Sequence, residues 1–106
     1  MKLGKIIIQR QNIIKMNIDK SHVYTELFFA DVVLRQNGQH YRVQFPYNTR
    51  KDASVALQRL RNNNPKDMPK PICKPKVFYC DKYGAVRHGW SNFWLALENK
   101  KSKYLS

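Results

Sequence analysis

Phe28-Phe29-Ala30-Asp31-Val32-Val33-Leu34-Arg35-Gln36-Asn37-Gly38-Gln39-His40-Tyr41-Arg42-Val43-Gln44-Phe45 is the stretch that decides the fold. Asn37-Gly38 is a strong hairpin signal, because both central residues of a type I′ turn need positive φ and these two residue types tolerate it. A two-residue turn sets the register: Gln36 faces Gln39, Leu34 faces Tyr41, Val32 faces Val43 and Ala30 faces Phe45. Side chains alternate across a strand. One face then carries Phe28, Ala30, Val32, Leu34, Tyr41, Val43 and Phe45, a core set. The other carries Phe29, Asp31, Val33, Arg35, His40, Arg42 and Gln44 and reads as a mixed, basic face.

Outward from the hairpin, Pro46-Tyr47-Asn48 ends the second strand. Thr49 is a helix cap, with Asp52 in the first turn where a carboxylate suits the helix dipole. Ala53, Ala56, Leu57 and Leu60 make a narrow apolar stripe at helical spacing, and Asn62-Asn63-Asn64-Pro65 stops the helix, giving a span of about 49–62. Residues 65–75 hold four of the five prolines among several lysines, so 63–76 reads as an extended basic connector. A strand over Lys76–Cys80, a turn at Asp81-Lys82-Tyr83-Gly84, a short strand over Ala85–His88 and a helix over 91–100, capped by Ser91, complete the chain. Before the hairpin, Lys5–Arg10 and Asn12–Ile18 read as isoleucine-rich strands broken near Gln11-Asn12, and Asp19-Lys20-Ser21 as a turn. The expected architecture is one small α+β domain over 1–106, an antiparallel sheet built on hairpins with both helices packed on one face.

Charge narrows the function. Twenty Lys and Arg stand against seven Asp and Glu, a net +13 on 106 residues. The excess is uneven: residues 1–40 hold six bases and three acids, residues 41–106 fourteen and four. Such a surplus repels itself in the compact state, and a polyanion relieves it. The aromatic and apolar content is too high for a disordered basic tail, and no apolar run nears the roughly 18 residues a membrane-spanning helix needs. The basic start lacks the apolar body and small-residue cleavage site of a secretory signal, so a cytoplasmic protein with reduced thiols is expected. Cys73 and Cys80 are separated by six residues, wider than the usual metal-binding pair, and no cofactor is implied.

Motifs for catalysis are thin. Gly-rich phosphate loops, Gly-x-Ser-x-Gly and His-Glu-x-x-His are all missing from the sequence. The chain therefore reads as a non-enzymatic nucleic-acid-binding protein, DNA before RNA, of the kind a phage or other mobile element uses as a regulator. Arg35, His40, Arg42 and Gln44 on the mixed face are the candidates for base contacts, since a β-ribbon fits the major groove. Arg50, Lys51, Arg59, Arg61, Lys70 and Lys74 are the candidates for holding phosphates. Phe29, Tyr47 and Trp90 are candidate stacking platforms. Two other readings fit the same composition. One is an inhibitor or adaptor that meets an acidic protein or a ribonucleoprotein. The other is a toxin-like ribonuclease using His40 near Arg42, or His88 near Arg87.

The segment Phe28-Phe29-Ala30-Asp31-Val32-Val33, Asn37-Gly38, Tyr41-Arg42-Val43 and Phe45, followed by Thr49-Arg50-Lys51-Asp52-Ala53 and Ala56, resembles AP2-type DNA-binding domains and the arm-binding domains of phage-type integrases. The resemblance spans about residues 28–57 and implies a three-stranded sheet that docks on DNA with an alanine-rich helix supporting it from behind. Tyr79-x-Asp81-x-x-Gly84, Trp90-Ser91, Trp94-Leu95 and Tyr104-Leu105 are similar to the DNA-binding end of histone-like nucleoid-structuring proteins.

Overall fold

The chain is seen in a computed structural model that describes the backbone of residues 1–21, 26–86 and 90–105, and the side chains of all of these but 90–92 and 101–105. The hairpin is the centre of the fold. β4 (Phe28–Gln36) and β5 (Gln39–Tyr47) pair in the expected register, from Gln36 opposite Gln39 to Ala30 opposite Phe45. Asn37 at φ 53° and Gly38 at φ 78° supply the two left-handed residues of the turn. β3 (Ile13–Lys20) adds antiparallel to β4 with an irregularity between Ile13 and Lys15, and β6 (Lys76–Cys80) adds antiparallel to β5. The sheet order is β3-β4-β5-β6, so β3 and β6 are its edges. β3 runs straight through Asp19 and Lys20, which sequence alone reads as a turn; pairing with Phe29 and Phe28 holds them extended.

The first residues form a separate small hairpin, β1 (Lys2–Leu3) with β2 (Ile6–Ile7). It is tied to the sheet by Gln36, whose amide accepts from the Ile7 N–H at 2.7 Å and donates to the Lys5 carbonyl at 2.8 Å. Ile6 and Ile8 enter the core.

α1 (Arg50–Arg61) starts as expected: Thr49 Oγ1 accepts from the Asp52 N–H at 3.1 Å. Its buried stripe of Ala53, Ala56, Leu57 and Leu60 lies on Ala30, Val32, Leu34, Val43 and Phe45. The small alanines let the helix lie close to the sheet. Leading on from it, the connector holds one short 3-10 turn at Pro65–Asp67 and is pinned to β5 twice. Tyr47 Oη donates to the Pro69 carbonyl at 2.9 Å, and the Ile72 N–H donates to the Pro46 carbonyl at 3.0 Å. Burial pushes the Tyr47 phenol up to about 12, so it remains a donor at every physiological pH.

α2 (Trp90–Leu105) differs from expectation in place and length. It begins at Trp90, so Ser91 lies inside the helix. Trp94 packs on Phe29, with ring centroids 4.8 Å apart, and joins Leu27 and Phe78 in a second core cluster. Phe29 and Phe78 belong to the sheet face opposite Ala30 and Phe45. The two helices therefore cover opposite faces, where sequence reading put both on one. The fold class itself, α+β with a four-stranded antiparallel sheet and two helices, is as expected. No helix among the described residues is long and apolar enough to cross a membrane.

Candidate nucleic-acid interface

The mixed sheet face is largely used from within. Arg42 donates from Nε to both Asp31 oxygens, at 2.9 and 2.7 Å, and from one terminal nitrogen to Asp31 and to Asp19 Oδ2. Its other terminal nitrogen donates to the Gly84 carbonyl at 3.1 Å. The Arg42 side chain is 17% exposed and that of Asp31 5%. Burial is the main reason the Asp31 carboxyl is pushed up to about 7; the guanidinium opposes it and Asp19 reinforces it. Gln44 is fully buried and accepts the Trp94 indole N–H at 2.5 Å. These two residues are corrections to the expected interface. Alternation marked them as outward, but α2 and the turn at 81–84 lie over them.

Among the other expected residues, Arg35 is exposed and His40 half-buried; they sit opposite each other beside the hairpin turn and stay accessible. Arg50, Lys51 and Arg61 are exposed on α1. Arg59 is half-buried, with its Nε enclosed and making no hydrogen bond. Lys70 and Lys74 are exposed on the connector, which leads into β6, the edge far from β3. The expected site residues thus lie on more than one side of the molecule. Phe29 and Tyr47 are 4% and 1% exposed, hence core and not stacking platforms. The Trp90 side chain, Arg87, His88 and the end of the strand expected over Ala85–His88 lie outside the described residues. Cys73 and Cys80 are half-buried and not disulfide-bonded.

One set of cations does come together, on the flank made by α1 and the edge strand β3. Arg50, Ser54, Gln58 and Arg61 recur along one side of α1 and border a depression of about 550 Å³, with Asn17 and Ile18 of β3 on its far bank. Arg61 also borders the next depression, of about 300 Å³, with Arg10, Ile13, Ile14, Lys15 and Met16. The backbone explains this meeting: the Arg10 N–H donates to Asn63 Oδ1 at 3.3 Å, tying the start of β3 to the end of α1. Lys15 then borders a third, smaller hollow on the opposite sheet face with Asn17, Val33, Tyr83, Gly84 and the paired Asp31 and Arg42. Arg61 and Lys15, each shared by two hollows, make the band continuous from Arg50 round the sheet edge to Tyr83.

The acids explain why this band stays uncompensated. Asp19 and Asp31 are spent on Arg42, and Glu26 pairs with Lys20 at 3.1 Å. Asp67 accepts from Asn64, Asp81 accepts from the backbone of Tyr83 and Ala85, and Glu98 is 1% exposed. Asp52 sits in the first turn of α1. Among the described residues, ion pairs are made by Lys20 and Arg42 and leave Arg10, Lys15, Arg50 and Arg61 without a carboxylate. Arg50 rests 5.3 Å from the centre of the Phe28 ring, which orients it without lowering its charge.

Sequence reading missed Arg10, Lys15 and Tyr83. The strand order that makes β3 an edge is a long-range fact, and the isoleucines around Lys15 drew attention to the core. The turn carrying Tyr83 is held tightly. Asp81 Oδ1 accepts from the Tyr83 and Ala85 N–H groups at 2.8 and 3.0 Å, and Gly84 at φ 89° reverses the chain. A Cβ at Gly84 would stand 3.0 Å from Val33 Cγ2, whereas one at Gly38 would meet nothing within 4 Å. Gly84→Ala is therefore expected to destabilise by about 2 kcal/mol in urea unfolding, and Gly38→Ala by about 1, since both carry the left-handed penalty and only the first adds a clash. Equal losses would show that the turn does not rest on Val33. Comparison with known proteins returns no match for the chain: no family model, no curated protein and no solved structure.

Proposed function

We propose that this is a non-enzymatic nucleic-acid-binding protein whose phosphate-contacting surface is the α1–β3 flank. The observation that carries the reading is the division of labour among charges. The seven acids serve Arg42, Lys20, turns, a helix start and the interior, while Arg10, Lys15, Arg50 and Arg61 make no ion pair among the described residues; the two hollows between α1 and β3 hold no carboxylate, and the third holds Asp31, which is paired with Arg42. A phosphate chain laid along such a band releases condensed counterions. Lys51, exposed beside Arg50, and Arg35 beside the hairpin turn extend the field at either end. The binding face in this reading is an edge and not the open sheet implied by the resemblance to AP2-type and integrase arm-binding domains, because α2 occupies the sheet face that α1 leaves clear.

The test is a salt titration. With four phosphates neutralised, the plot of log affinity against log salt is expected to fall with a slope of roughly −3, and Arg10→Gln with Arg61→Gln is expected to reduce that slope by about half. Affinity indifferent to salt, or a slope untouched by the double substitution, removes the flank as the phosphate-contacting surface.

A further inference from the structure

We infer that the ligand of this flank is a single strand, with its phosphates along the α1–β3 hollows and an unpaired base stacked on Tyr83. This rests on the nucleic-acid reading above and specifies its substrate class.

The cations line hollows between a helix and an edge strand. A flexible single backbone follows such a path as it bends from the α1 side round the sheet edge. The element suited to a major groove, the β4–β5 hairpin, has α1 packed on one face and Trp94 of α2 on the other. The hairpin is therefore structural, and base contact must come from elsewhere.

Tyr83 is the side chain placed to make it. It is 72% exposed, although a tyrosine ring is normally kept against apolar neighbours. It borders the same hollow as Lys15, where the basic band rounds the sheet edge, and the Lys82 ammonium stands 5.0 Å from its ring centre. Its backbone is held by the Asp81 carboxylate, and the next residue, Gly84, is held by Arg42. A ring exposed to solvent on an ordered turn loses little freedom when a base stacks on it, and every base offers a π-face. A cation beside the ring adds attraction for the phosphate that accompanies that base.

Fluorescence anisotropy with labelled oligothymidylate, the matching RNA homopolymer and the oligothymidylate–oligoadenylate duplex tests this, each at low and high salt. Wild-type protein is expected to bind one or both single strands more tightly than the duplex. Tyr83→Ala is expected to weaken single-strand binding roughly tenfold with the salt slope unchanged, and Tyr83→Phe to restore it, because stacking needs the ring and not the hydroxyl. The Tyr83 side chain is exposed, so an unchanged far-ultraviolet circular dichroism spectrum checks that the variants fold. Salt-dependent binding that favours the duplex, or that ignores Tyr83→Ala, overturns the single-strand assignment and leaves the phosphate-binding flank standing. Failure of the wild-type protein to bind any of the three probes overturns both.

Discussion

Arg42→Met is expected to destabilise the protein by about 3–5 kcal/mol at pH 8 and by markedly less at pH 5. At pH 8 the substitution leaves the Asp31 side chain, 5% exposed, beside Asp19 with no guanidinium between them, so its carboxyl must either stay charged without compensation or take up a proton against the pH. Removing one partner of a buried pair costs more than the pair contributes, because the remaining charge has left water without compensation. Near pH 5 the wild-type Asp31 carboxyl, pushed up to about 7, already carries a proton, so there is less charge to strand. The sign for the wild type follows from the same value. A carboxyl whose folded-state pKa lies above its unfolded one binds more protons when folded, so its contribution is full below about pH 4 and is lost as pH rises toward about 7. Urea unfolding of wild type, Arg42→Met and Arg42→Met/Asp31→Asn at both pH values checks this. The double variant is expected to recover a good part of the loss at pH 8, since an amide has no charge to strand. Equal destabilisation at both pH values would show that Arg42 acts by packing and not by compensating Asp31.

Arg42 also shows where sequence reading reaches its limit. The hairpin was legible because its information is local: Asn37-Gly38 admits few turns, and a two-residue turn leaves one register, which the structure reproduces pair for pair. α1 was legible for a similar reason, from its Thr49 cap and its i, i+3, i+4, i+7 stripe. Which side of the sheet receives a second helix is not local. Polar alternation at Asp31, Arg42 and Gln44 looked like a solvated face, yet those groups satisfy one another and Trp94. The signal that something covers this face was present in Phe29, Val33 and Phe78, and in the opposite charges of Asp31 and Arg42 on the same side of the hairpin. The flank of Arg10, Lys15, Arg50 and Arg61 depends on β3 being an edge and on Asn63 gripping the Arg10 backbone, contacts between residues far apart in the chain.

Trp94→Ala is expected to cost about 3–5 kcal/mol, because it empties a site 4% exposed between α2 and the sheet. It removes the tilted ring contact with Phe29, the edge contact with Phe93 at 4.6 Å and the indole donor to Gln44 together. Trp94→Phe keeps an aromatic ring against Phe29 and loses chiefly the donor, so it is expected to cost about 1–3 kcal/mol. Two-sided packing gives the test its edge. Leu60, 3% exposed, belongs to the cluster beneath α1, and the sheet separates it from Trp94. Leu60→Ala is expected to cost about 2–5 kcal/mol on its own. Combined with Trp94→Phe, the two losses are expected to add within about 0.5 kcal/mol, as they do for residues that share no neighbours. Limited proteolysis supplies a second readout: Trp94→Ala is expected to expose cleavage sites in α2 while α1 stays protected, and Leu60→Ala to do the reverse. Strong coupling between the two positions would put both helices in one core and return the Arg42 face to solvent. The mixed face, and not the β3 edge, would then be the surface open to a ligand.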